Sequence, residues 1–149
     1  YGAGGWEGQV WDQAIDVPVT TLDALVAEHG LPQFAKIDVE GFEANVIEGM
    51  KTIFRANPNV IVVMDFEPAH IRATGLSAAS WVERLRAAGL DIFEIDERNG
   101  ELSPLRKTGL EEIASVNVLI ARGDPSRRTG EQAGENWLRI GSGAQALAT

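Results

Sequence analysis

The sequence predicts an α/β sandwich, with helices on both faces of a largely parallel sheet. Three observations carry that prediction. Short apolar runs alternate along the chain with stretches whose apolar residues recur at helical spacing. The run VIVVMDF, from Val60 to Phe66, is nearly all apolar, as expected of a strand covered on both faces. A length of 149 residues with 44% hydrophobic content suits one domain with a sizeable core.

The first helix is VTTLDALVAEHG: Thr20 or Thr21 caps it, Leu22, Leu25 and Val26 share a face, and Gly30 stops it before Pro32. Phe34 to Val39 is a short strand ending in acid. Directly after Gly41, Phe42, Val46, Met50 and Ile53 recur at helical spacing, which completes a strand-loop-helix unit. Asn57-Pro58-Asn59 leads into VIVVMDF, which also ends in acids. The following EPAHI reads as loop. Ser77 then caps a helix with Ala78, Trp81, Val82 and Leu85 on one stripe, closed by Gly89 ahead of the strand LDIFEI. Asn99-Gly100 offers a tight turn, Pro104 limits the next segment, and SVNVLIAR, Ser115 to Arg122, forms a last apolar strand. From Gly123 the composition shifts to Gly, Ala, Ser and charge. The division is therefore a folded domain over 1–122 and a flexible tail over 123–149, with Trp137 to Ile140 the part suited to docking.

Composition narrows the function. Twenty-two acids against 13 bases give a net charge of −9, which opposes binding to nucleic acid or to an anionic membrane surface. A small-molecule partner fits better. No cysteine is present, so disulfides, thiolate nucleophiles and zinc-thiolate sites are excluded. No apolar run approaches the roughly 20 residues that cross a bilayer, and no signal-peptide pattern opens the chain, so the cytoplasm is the default location. Tyr1 in place of a starting Met suggests that the chain begins inside a longer one.

Ligands of such sheets sit at the carboxyl ends of the strands. There the sequence places two pairs of acids, Asp38 and Glu40 after one strand and Asp65 and Glu67 with the next. Such acids can hold a metal, act as bases, or accept hydrogen bonds from ligand hydroxyls and amines. They can also simply cap the next helix, and that is the reading for Glu43. Asp38 directly follows the apolar Ile37 and so is expected to need a partner. His70 in EPAHI suits a base, since histidine is the residue type that ordinarily changes charge near neutral pH, whereas His29 reads as a favourable charge at a helix end. The tripeptide Arg122-Gly123-Asp124 recurs by chance and is set aside.

The succession VPVTTLDAL, FAKIDVEGFEANVIEGM, NVIVVMDFEPAHI and SVNVLIAR resembles the carboxy-terminal half of the FkbM family of S-adenosylmethionine-dependent methyltransferases. The likeness covers about Val17 to Arg122 and is densest in K-I-D-V-E-G-x-E. It implies a Rossmann-like class I methyltransferase sheet represented by strands four to seven: KIDVEG the fourth, VIVVMDF the fifth, LDIFEI the sixth and SVNVLIAR the last, antiparallel one. It also implies methyl transfer to oxygen, often on sugars or natural products. The cofactor is then S-adenosylmethionine and the partner a small hydroxyl-bearing acceptor.

Such enzymes hold the cofactor chiefly through a glycine-rich turn after the first strand and an acid after the second. Gly2-Ala3-Gly4-Gly5 has no apolar strand ahead of it and reads as loop, so the cofactor half is expected ahead of Tyr1. Asp38 would form one edge of the cofactor pocket. Asp38, Glu40, Glu67 and His70 would surround the acceptor, with His70 or Glu67 as base, Asp38 positioning the acceptor, and a magnesium ion between Asp38 and Glu67 as a further option. Two rival readings are a receiver-like binding module, which wants a further acid pair, and a catalytically silent interaction domain. The latter would pair with a missing amino-terminal half or with a second copy through the edge beside KIDVEG.

Overall fold

The computed structural model describes residues 16–39 and 41–127. Glu40, the Gly2 to Gly5 loop and the Trp137 to Ile140 segment of the tail lie outside the described residues. In chain order the elements are α1 (Leu22–His29), β1 (Phe34–Ile37), α2 (Glu43–Glu48), α3 (Lys51–Ala56), β2 (Ile61–Phe66), α4 (Pro68–Ala73), α5 (Ala78–Ala87), β3 (Asp91–Ile95), β4 (Leu102–Pro104) and β5 (Val116–Ala121). One-turn 3-10 helices occupy Leu110–Glu112 and Pro125–Arg127.

The caps read from the sequence are in place. Thr21 accepts the Ala24 N–H at the start of α1, Ser77 accepts the Ser80 N–H at the start of α5, and Gly30 follows α1 with φ +78°. Asn99 and Gly100 belong to the turn joining β3 to β4, closed by the Gly100 N–H donating to the Asp96 carbonyl at 2.7 Å. Pro104 ends the three-residue edge strand β4, where its missing N–H breaks no ladder.

The five strands form one sheet in the order β1-β2-β5-β3-β4. Among the described residues only β1 and β2 pair in parallel; β5 is antiparallel to both β2 and β3, and β4 is antiparallel to β3. The sheet is therefore mixed rather than largely parallel. Because β5 is wedged between β2 and β3, strands β1, β2 and β3 still run in one direction, and their carboxyl ends share one edge.

Alternation along the strands sorts the two faces. Val62, Met64 and Phe66 of β2, with Val118 and Ile120 of β5 and Ile92 of β3, join the main core. That core also takes Ile47, Ile53 and Phe54 from α2 and α3, Ile71 from α4, and Trp81, Val82 and Leu85 from α5. Ile61, Phe93, Leu119 and Ala121 form a smaller cluster on the opposite face, joined by partly buried Val63, Ile95 and Leu102. Among the described residues the helices all pack into the first cluster, so they cover one face where the sequence predicted two.

Two further expectations are corrected. The single helix after Gly41 is broken at Gly49 and Met50 into α2 and α3. The break is stabilised from a distance: the Asp23 carboxylate accepts the Thr52 and Ile53 N–H groups at 2.8 and 2.9 Å, capping α3, while the Asp23 N–H donates to the Gly49 carbonyl. Phe42 does not lie on the buried stripe. It is 59% exposed, and Ala44 and Ile47 take the core positions.

Candidate active site

The site begins where β1 ends. After Ile37 the chain turns through Asp38, Val39 and Gly41 into α2. Glu43, the first residue of α2, folds back over this turn with its carboxylate 5% exposed as a whole residue. Its Oε1 accepts the Val39 N–H at 3.3 Å, and both its oxygens accept the Gly41 N–H at 3.1 to 3.2 Å. A buried carboxylate is tolerated when hydrogen-bonded in this way. Glu43 is thus structural, though it braces the loop before the helix rather than the helix itself. Asp38 is exposed, so the desolvation reasoning that required a partner for it does not apply.

The second wall comes from the end of β2. EPAHI is helical rather than loop: Pro68 is the first residue of α4, where its missing N–H and fixed φ suit a helix start, and Glu67 is the N-cap. Glu67 makes no side-chain capping bond. Its Oε1 lies instead 3.6 Å from His70 Nε2, both side chains being about one-third exposed, at 35% and 33%. This is beyond hydrogen-bond length and within ion-pair reach of a protonated imidazole.

The two walls meet at Gly41. Its φ of +105° is a conformation that side-chain-bearing residues rarely adopt, and a Cβ placed there would touch the His70 ring at 3.5 Å. The imidazole therefore lies against the backbone of the β1–α2 turn. The structure brings together Glu67, His70 and the loop that carries Asp38, at the carboxyl edge the sequence predicted. Asp65, half-buried in β2, stands beside Asn117 of β5 in the strand register.

The same edge continues into a cleft of about 490 Å³ that the sequence reading missed, lined by Glu94, Asp96, Glu97, Ser103, Ser115 and Asn117 among others. Asn117 Nδ2 donates to Glu97 Oε1 at 2.7 Å. Asp96 is committed to the β3–β4 turn: the Arg98 guanidinium beside it, and then the Arg98 N–H, hold its carboxyl below the ordinary 3.8. The signal available in the sequence was the polar start of SVNVLIAR. An antiparallel strand placed between parallel neighbours begins where they end, so Ser115 and Asn117 had to reach this edge.

No three His, Asp or Glu side chains among the described residues are grouped to hold a metal ion. Magnesium between Asp38 and Glu67 gains no third ligand from them. No helix among the described residues is long and apolar enough to cross a membrane.

A mixed five-stranded sheet with flanking helices, and with acids and a histidine gathered at one strand edge, fits an α/β fold of the methyltransferase type. The family model described as the methyltransferase FkbM domain matches residues 2–107. The chain belongs to the FkbM methyltransferase family. Neither a curated protein nor a solved structure matches it. The family match ends before β5, yet β5 is hydrogen-bonded between β2 and β3, so the folded unit runs on to at least Ala121.

Proposed function

We propose that the chain works in an S-adenosylmethionine-dependent methyltransferase that methylates a hydroxyl oxygen of a small molecule such as a sugar or natural product. In this reading β1, β2, β3 and β5 are strands four, five, six and seven of a class I methyltransferase sheet. The position of β5, antiparallel between β2 and β3, supports that assignment. The observation that carries the function, beyond the family itself, is the Glu67–His70 pair at the carboxyl edge, with the His70 ring against Gly41.

S-adenosylmethionine would supply an electrophilic methyl group, its sulfur–methyl bond breaking as the new oxygen–methyl bond forms and S-adenosylhomocysteine leaving. Its sulfonium and ammonium charges suit an edge whose side chains at Asp38, Asp65 and Glu67 are acids, and Asp38 would hold the amine. For the acceptor, His70 or Glu67 takes the hydroxyl proton as the oxygen attacks, the proton ending on imidazole or carboxylate. Asp38 would position the acceptor, Glu40 is counted with Asp38, Glu67 and His70 among the residues around it, and the cleft lined by Ser115 and Asn117 offers hydrogen-bond partners to its remaining hydroxyls.

The test is methyl transfer from labelled S-adenosylmethionine to a panel of sugars and hydroxylated small molecules, using the full polypeptide. His70→Ala, Glu67→Gln and Asp38→Asn should each lower turnover by at least about tenfold, with unchanged circular dichroism. A variant with wild-type turnover removes that residue from the mechanism. Transfer that survives all three substitutions overturns the site.

A further inference from the structure

The edge of the sheet opposite the candidate active site carries a second cavity, of about 610 Å³, between α3 and α5. Its floor is apolar: Ile47, Phe54, Leu85 and Leu90 are each less than a tenth exposed. Its rim is cationic. Lys51, Arg55, Arg84 and Arg122 line it, and the only acid among its lining residues, Glu48, is already ion-paired to Lys51. In a chain with net charge −9, that gathering of four of 13 bases runs against the overall field.

The cations differ in how they are held. Arg122 Nε and Nη1 point to the Phe54 and Gly89 carbonyls at 3.4 and 3.5 Å, and a Cβ at Gly89 would stand 2.8 Å from Arg122 Nη1, so this side chain is fixed between the elements. Arg55 and Arg84 have no carboxylate partner among the described residues. An apolar floor under guanidinium groups that lack a counter-charge matches a ligand with both features, and the volume is that of a small-molecule pocket. We propose that this groove binds a small molecule joining an anionic phosphate or carboxylate head to an apolar body, with Arg55 and Arg84 on the head and Phe54, Leu85 and Leu90 under the body.

Calorimetric titration with octyl phosphate, octanoate, octanol and inorganic phosphate tests this. At least one of the two charged amphiphiles should bind at least about tenfold more tightly than octanol and than inorganic phosphate, since each of the latter offers half of the interaction. Which head binds better distinguishes phosphate from carboxylate. Arg55→Glu with Arg84→Glu should weaken that binding at least about tenfold, and Ala88→Trp, on the exposed lip of the groove, should block it, both with unchanged melting temperature. Octanol binding as well as both charged amphiphiles, or affinity unchanged in the double reversal, overturns the proposal. The groove lies away from Glu67 and His70, so its failure leaves the methyl-transfer reading untouched, and the reverse also holds.

Discussion

Glu43 shows how a single residue can be legible in kind and misplaced in role. An acid three residues beyond Glu40 and just past Gly41 reads as a helix cap, because such positions complement the amino end of the helix. Its carboxylate instead turns back to the N–H groups of Val39 and Gly41. The turn supplies the reason: the Val39 and Gly41 N–H groups are part-buried and take the Glu43 carboxylate as their acceptor. Replacing Glu43 by Ala leaves two such donors without their acceptor, and the expected cost is about 2 kcal/mol. Glu43→Gln keeps one oxygen in place and should cost clearly less. Urea unfolding midpoints of the two variants check this; equal losses would mean that charge, and not the hydrogen bonds to the turn, is what Glu43 contributes.

At the scale of elements, what the sequence shows depends on whether the determining partner is near in the chain. Caps such as Thr21 and Ser77 act within three residues and were readable. The break between α2 and α3 was not, because the group that stabilises it, Asp23, sits 29 residues away from Thr52. Helix α4 was missed for a different reason: its six residues give no periodic signal, and only Pro68 at its first position marked it. Glu111 is another distant determinant. From the 3-10 turn its Oε2 meets Arg72 Nη1 of α4 at 2.7 Å while its Oε1 accepts the Ala78 N–H at the start of α5 at 2.8 Å. The Arg72 side chain is the main influence holding the Glu111 carboxyl below its ordinary 4.5; burial opposes it, and the N–H groups of Ala79 and Ala78 add to the lowering. A carboxyl with a lowered value in the folded state stabilises above its unfolded value and loses that contribution as pH falls through the folded one. Wild type should therefore exceed Glu111→Gln in stability at neutral pH, and the difference should begin to shrink below about 4.5 and be lost as pH falls through the lower folded value. Parallel denaturant titrations at pH 7 and pH 3 measure it, and a difference that is no smaller at pH 3 than at pH 7 would refute the clamp.

Over the whole molecule, the alternation in β2 and β5 set both faces of the sheet, so the core was readable from the run Val60 to Phe66. The number of antiparallel pairs was not, since apolar period says nothing of direction. The other end of the sheet carries a further consequence. Among the described residues β1 has one strand partner, β2, and the residues around it are conspicuously apolar for a surface: Phe34 is 46% exposed, Val39 40% and Phe42 59%. An open strand edge beside exposed apolar side chains is a template for further pairing, either with more chain of the same protein or with a second copy. Lys36, facing away from the main core between Phe34 and Asp38, is a single charge set against that tendency. The 149-residue chain should accordingly enhance the fluorescence of a hydrophobic dye and sediment with concentration-dependent mass. Phe34→Lys, which adds a second charge to the edge without touching the buried residues, should suppress both effects while leaving the melting temperature within a few degrees. A chain that stays monomeric and dye-free at high concentration would show that this edge is already satisfied, and the apolar surface around β1 would then need a different explanation.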